Sequence, residues 1–114
     1  MSATAEPAKE ISFRVRPAEP SDAPTLVDLI NELAQYERLA HESRPDADAL
    51  AAHLSEARCE ALIAEHRKDG EALGFALFFQ HYSTFLTRWG MYLEDLYVRP
   101  EWRGHGVGFE LLRS

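Results

Sequence analysis

A short stretch near the end of the chain carries the residues best suited to bind an anion. Arg103 and three glycines, Gly104, Gly106 and Gly108, follow an apolar, strand-like run from Tyr92 to Val98. The apolar residues after the glycines predict the start of a helix. The first backbone N–H groups of a helix have no partner within it, and glycines let an anionic group come close to them. A strand, a glycine loop and a helix therefore predict a phosphate or pyrophosphate site.

The spacing of the glycines excludes two common phosphate-binding loops. No Gly-Lys-Ser or Gly-Lys-Thr is present, which excludes the loop of nucleoside triphosphatases. The dinucleotide pattern Gly-x-Gly-x-x-Gly fails because Phe109 occupies the position of its last glycine. The pattern that does match is Arg-x-x-Gly-x-Gly, formed by Arg103, Gly106 and Gly108.

Composition predicts one ordinary globular domain, because 114 residues with 46% hydrophobic side chains can build a single core. The net charge of −7 comes from the part of the chain before Ala72, where fifteen acidic residues outnumber eight basic ones. This distribution disfavours nucleic acid as a partner, since phosphate backbones require clustered Lys and Arg. An acidic surface could concentrate a cationic amine near a site, or it could simply be a solvated surface.

Cysteine and apolar content predict the cellular setting. Cys59 is the only cysteine, so no internal disulfide can form, and its apolar surroundings predict a buried, unreactive thiol. The sequence has no secretory leader and no apolar run near the roughly 20 residues that a membrane span needs. We therefore expect a cytoplasmic protein with no membrane partner. The histidines show no metal-ligand spacing with one another, so we expect no metal.

The hydrophobic periodicity predicts the element order β-α-α-β-β-β-α. Residues 1–10 are predicted to be a disordered leader, and residues 11–114 part of a single domain. The predicted strands and helices cover residues 11–16, 22–37, about 46–54, 59–65, 73–79 and 92–98, followed by a helix near residue 109. The polar stretch from Gln80 to Gly90 is predicted to be a substrate loop.

The strand ending in Leu96-Tyr97-Val98 and the Arg-x-x-Gly-x-Gly loop together resemble the signature of the GNAT N-acetyltransferase superfamily. The resemblance implies an α/β (α+β) fold with a mixed, mostly antiparallel sheet flanked by helices, and acetyl-CoA as cosubstrate without a metal. Residues 14–18, 32–37 and 92–95 further resemble the diamine (spermidine/spermine-type) acetyltransferase branch. That branch implies a small primary amine as the substrate and a homodimer as the assembly.

The same resemblance implies roles for individual residues. The main chain of the strand would bind the pantetheine arm, and the loop would bind the pyrophosphate; together these cofactor residues are Leu96, Tyr97, Val98, Arg103, Gly104, His105, Gly106, Val107 and Gly108. Glu94 would accept the proton of the ammonium, because an alkyl amine is almost fully protonated at neutral pH. The residues expected to contact the substrate are Glu32, Tyr36, Glu37, Glu94 and Asp95. The family strand carries a bulge here, without which Glu94 and Asp95 would point to opposite faces.

The chain departs from the family pattern in two respects. The aspartate and tryptophan that the diamine branch offers to a polyamine are replaced by Thr84 and Leu86. The family fold also continues beyond the position of Ser114 with further strands, a helix and a tyrosine that protonates the departing thiolate. We therefore expect a truncated product, a partial sequence or a protomer that borrows elements from a neighbour. A non-catalytic acyl-CoA-binding module and an acetyltransferase for protein or amino-acid amines remain alternative functions.

Overall fold

A computed structural model describes residues 12–114, which form one antiparallel sheet with helices on both faces. The four strands stand side by side in chain order, and all three pairings between them are antiparallel. The strands are β1 (Phe13–Pro17), β2 (Cys59–His66), β3 (Ala72–Ser83) and β4 (Arg88–Val98), and the helices are α1 (Ala23–Tyr36), α2 (Ala47–Ser55) and α3 (Val107–Arg113). Short 3-10 turns cover Pro20–Asp22, Ala40–Glu42 and Pro100–Trp102.

Each face of the sheet carries its own apolar core. On the first face, Leu26, Leu29 and Leu33 of α1 pack against Phe75 and Tyr97 of the sheet. On the second face, α3 packs through Val107 and Leu111. The α1 side chains recur at steps of three and four residues, which places them on one side of the helix. The first face therefore carries α1 and the second carries α3.

A network of ion pairs joins β1 to β2 and to the turn before α1. Glu65 of β2 is buried, and its carboxylate pairs with Arg14 at 2.7 Å and with Arg16 at 3.1 Å. Arg16 also donates two hydrogen bonds of 2.8 Å to Asp22. A buried carboxylate needs such partners to remain charged. Burial opposes ionisation of Glu65, but the hydrogen bonds from the two arginines outweigh it and lower the pKa of this carboxyl.

Most of the elements predicted from the sequence are confirmed. The order β-α-α-β-β-β-α is present, and β3 lies inside the sheet between two neighbours, as its apolar run predicted. The side chain of Asp46 caps α2 by accepting hydrogen bonds from the backbone N–H groups of Asp48 and Ala49 at 2.9 and 3.2 Å. The predicted leader and the predicted start of β1 at Ile11 lie outside the described residues.

The predicted substrate loop from Gln80 to Gly90 is wrong in its secondary structure. β3 continues to Ser83 and β4 begins at Arg88, so only residues 84–87 form the turn of a long hairpin. Cross-strand pairs of side chains, such as Tyr82 with Trp89 at 5.1 Å between ring centroids, stabilise the extension. Trp89 itself is 66% exposed. No helix of residues 12–114 is long and apolar enough to cross a membrane.

Candidate functional site

A bulge in β4 marks the centre of the site. Leu93 lies opposite Phe78 and Asp95 lies opposite Leu77, so Glu94 is an extra residue without a partner on β3. Leu77 packs on the α1 face and Phe78 on the α3 face, and residues paired across two strands share a face. The bulge therefore turns Asp95 toward the α1 face and leaves Glu94 exposed beside it. The bulge that the family resemblance implied is present.

The free edge of β4 lines a groove of about 400 Å³. Within the described part of the chain, β4 pairs only with β3, so its other edge offers backbone groups to a ligand. Val98 shows the direction of one such group, because its carbonyl oxygen accepts a hydrogen bond of 2.9 Å from Arg103 Nε across the groove. The residues lining the groove are Leu33, Tyr36, Glu37, Leu96, Tyr97, Val98, Trp102, Arg103, Gly104, Gly106, Val107 and Gly108.

The glycine loop borders this groove in a conformation that favours glycine. Gly104 has a φ of +84° and Gly106 a φ of +83°, a left-handed region that side chains with a Cβ rarely adopt. A Cβ built on either residue would meet no heavy atom within 4 Å, so the space beside the loop is open. Gly106 immediately precedes α3, which begins at Val107, two residues before the predicted start. The loop thus offers open space and exposed backbone at one end of the groove.

Arg103 and His105, two of the predicted cofactor residues, both lie near aromatic rings. The guanidinium of Arg103 lies over the ring of Tyr36, 4.7 Å from its centroid, and 5.7 Å from the centroid of Tyr97. Arg103 is exposed, and its guanidinium lies over the rings that border the groove. His105 is half-buried, with its ring centroid 6.4 Å from that of Trp102.

Glu32 is engaged by the protein itself, which contrasts with its predicted contact to substrate. Its carboxylate accepts hydrogen bonds from Arg99 Nη2 at 2.8 Å and Nε at 3.0 Å, and from the hydroxyl of Tyr97 at 3.3 Å. Arg99 also donates to the carbonyl oxygen of Ala72 at 2.8 Å. These contacts tie α1 to the end of β4, so the geometry favours an anchoring role for Glu32.

Three other acidic or polar residues remain near the bulge on the α1 side. Glu37, at the end of α1, and Tyr36 line the groove, and Asp95 lies half-buried beside α1. Burial raises the pKa of Asp95, and the neighbouring charges of Glu94 and Glu37 raise it further. A carboxylate of raised pKa holds a proton more readily. A bound cation reduces the repulsion among neighbouring negative charges. This part of the site is suited to an ammonium group.

Two residues of the site were not found from the sequence. Arg99 anchors Glu32, but an arginine between a valine and a proline gives no local signal for that role. Gly74 of β3 lies directly opposite Val98, and a Cβ there would clash with the carbonyl oxygen of Tyr97. The available signal was a glycine inside an apolar strand, which is typical of a close backbone approach but does not identify the neighbour.

Metal and thiol chemistry find little support among residues 12–114. No group of three His, Cys, Asp or Glu side chains in that range could hold a metal ion. Cys59 is half-buried, and burial raises the pKa of its thiol, which keeps it protonated at neutral pH.

Comparison with protein families gives a match over most of the chain. The family model described as "Acetyltransferase (GNAT) family" matches residues 26–114. The thialysine N-epsilon-acetyltransferase of Mus musculus is 34% identical over 113 residues, covering 90% of this chain and 65% of the mouse protein. The L-ornithine N5-acetyltransferase of Arabidopsis thaliana is 28% identical, covering 89% of this chain and 64% of that protein. The chain thus spans slightly less than two thirds of the length of these relatives.

A solved structure supports the same assignment. The ribosomal-protein-alanine N-acetyltransferase from Brucella melitensis biovar Abortus 2308 aligns with a TM-score of 0.67 and 26% sequence identity. The alignment covers 90% of this chain and 68% of the Brucella chain. Sequence and fold therefore agree on the kind of protein to which this groove belongs.

Proposed function

Since the chain belongs to the GNAT acetyltransferase family, we propose that it binds acetyl-CoA along the free edge of β4 and transfers the acetyl group to a small primary amine. The observation that carries the proposal is the groove that joins the glycine loop to the end of α1 beside the bulge at Glu94. One groove thus lies against all the predicted cofactor residues except His105, and against two predicted substrate residues, Tyr36 and Glu37.

The cofactor residues fit an extended thioester with a pyrophosphate. The outward-facing carbonyl oxygen of Val98 could accept a hydrogen bond from a pantetheine amide, in the way one strand pairs with another. The open space beside Gly104 and Gly106 would admit phosphate oxygens close to the backbone, and the Arg103 cation would neutralise them. His105 and Val107 would contribute backbone groups of the same loop.

The acceptor residues fit an ammonium that must lose its proton before it attacks. Glu94 is exposed at the bulge and would take the proton from the amine nitrogen. The nitrogen would then form a bond to the thioester carbonyl carbon and the carbon–sulfur bond would break. The CoA thiolate would leave and take up the second proton that the nitrogen loses as the amide forms. Asp95 and Glu37 would hold the cationic amine near this position.

Homology favours an amine on a short carbon chain as the substrate, because the mouse and Arabidopsis relatives are named for thialysine and L-ornithine. A diamine belongs to the same chemical class. Homodimerisation and a cytoplasmic location remain part of this proposal. The exposed hairpin residues Phe85 and Trp89 are consistent with an interface between two copies.

The test of the proposal is the substitution Glu94→Gln in the full chain, with putrescine as the amine and free thiol as the readout. Loss of a general base typically lowers the rate about 10²- to 10⁴-fold. We expect such a loss in turnover at neutral pH, near-normal binding of acetyl-CoA by calorimetry, and partial recovery at higher pH, where more amine is deprotonated.

The control is Glu101→Gln, which removes an exposed carboxylate from the turn after β4 and should leave turnover unchanged. Parental turnover by Glu94→Gln across the pH range would exclude Glu94 as the base. Binding of CoA without any thiol release by the parental protein would support the alternative, a non-catalytic acyl-CoA-binding module.

A further inference from the structure

Arg103 contacts both sides of the groove at once. Its Nε–H donates to the Val98 carbonyl oxygen at 2.9 Å, which lies on the side where the cofactor arm is proposed to run. Its guanidinium stacks over Tyr36, 4.7 Å from the ring centroid, on the side of the proposed acceptor wall. Tyr36 is 63% exposed, so this contact rests on the stacked ring and not on burial in the core.

These contacts hinder full use of the groove by its proposed ligands. An arginine bound to the Val98 carbonyl occupies one of the two acceptor positions of that oxygen, on the edge from which a pantetheine amide would approach. A guanidinium on Tyr36 also places a positive charge beside Glu37, on the wall where an ammonium is proposed to bind. The position of Arg103 in the structure therefore disfavours both the cofactor arm and the amine.

We propose that Arg103 is a latch that links the two halves of the site. In the closed position, seen in the structure, it bridges Val98 and Tyr36. In the open position it pairs with the cofactor pyrophosphate, which frees the Val98 carbonyl and removes a positive charge from the acceptor wall. Because the pyrophosphate pairs only with the open position, cofactor binding shifts Arg103 to that position. The acceptor wall then loses the competing positive charge, so cofactor binding strengthens amine binding. This inference rests on the proposed function, because it requires the cofactor to occupy the loop.

The latch predicts that removing the Tyr36 ring strengthens CoA binding, whereas removing an ordinary contact residue would weaken it. If Tyr36 holds the latch closed, Tyr36→Leu weakens the closed position and should tighten CoA binding about two- to fivefold, the strength of an exposed cation–π contact. If Tyr36 merely contacts the cofactor, the same substitution weakens CoA binding. Tyr36→Phe retains the ring face that holds the latch closed, so it should bind CoA more weakly than Tyr36→Leu does. Tyr82→Leu, which removes an exposed tyrosine from the hairpin, is the control. It should change neither the affinity for CoA nor that for putrescine.

The second measurement is the coupling between the two ligands, determined by calorimetry of putrescine binding with and without saturating CoA. We expect CoA to tighten putrescine binding at least fivefold in the parental protein, at the lower end of typical coupling between sites. Arg103→Gln removes the guanidinium charge and should bind putrescine equally well with and without CoA, at about the CoA-saturated affinity of the parental protein. Circular dichroism checks that each variant folds.

The outcomes separate the latch from the proposed function. Failure of the parental protein to bind CoA would overturn the proposed function and the latch with it. If the parental protein binds CoA, either of two results would overturn the latch alone. One is weaker CoA binding by Tyr36→Leu than by the parental protein, and the other is retention of the coupling by Arg103→Gln. Tighter CoA binding by Tyr36→Leu together with loss of coupling in Arg103→Gln would support it.

Discussion

The close approach of β3 to β4 at Gly74 is expected to be essential for the groove, and Gly74→Ala tests this directly. A Cβ on Gly74 would lie 3.0 Å from the Cα of Val98 and still closer to the carbonyl oxygen of Tyr97. Carbon and oxygen atoms approach to only about 3.3 Å even in favourable C–H···O contacts. Both neighbours are backbone atoms, so one strand must move to make room.

The expected cost follows from two opposing effects. Overpacking of a well-packed site typically costs about 1–3 kcal/mol. Replacing glycine by alanine also restricts the unfolded chain, which offsets about 0.4–1 kcal/mol. The net loss in the free energy of unfolding should be roughly 1–2 kcal/mol, with a lower melting temperature by roughly 4–10 °C for a domain near this size.

The assay is urea and thermal unfolding of Gly74→Ala beside Gly90→Ala, a matched control in the same strand pair. A Cβ on Gly90 meets no heavy atom closer than 3.9 Å, a normal van der Waals distance, so that variant should keep or slightly raise the stability. Because displaced strands would also shift the groove residues Tyr97 and Val98, Gly74→Ala should bind CoA more weakly. Equal stability of the two variants would refute the reasoning.

Two further predictions concern acid stability and the loop. The lowered pKa of Glu65 means that its contribution to stability is complete above the ordinary glutamate pKa of about 4.3 and is lost as the pH falls through the lower, folded value. Urea unfolding between about pH 6 and 3 should therefore show a steeper loss of stability in the parental protein than in Glu65→Gln; equal slopes would contradict this. Gly106→Val places a β-branched residue at a φ of +83°. It should abolish CoA binding in calorimetry while largely keeping the far-ultraviolet circular dichroism of the sheet. A CoA affinity equal to that of the parental protein would exclude the loop from the cofactor site.

The local pattern of the sequence determined the elements and the family. Alternating and helical periodicity predicted the order of strands and helices because apolar residues recur at the period of the structure that buries them. Arg103, Gly106 and Gly108 identified the loop through the family pattern, and the positive φ of Gly106 gives a physical reason for glycine at one of these positions. The hairpin extension was missed because residues 80–90 were interpreted as a polar loop. They are stabilised by pairing across the two strands, which a pattern within one strand does not contain.

The arrangement of the site was decided by tertiary structure. Glu32 was expected to face the substrate, but it pairs with Arg99, 67 positions further along the chain. The stacking of Arg103 on Tyr36 likewise joins residues that no spacing rule connects. Such contacts depend on how α1 crosses the end of β4, which is set by packing of the whole core. The sequence thus identified the residue types that the chemistry needs, and the fold determined which of them meet and which are held by other parts of the protein.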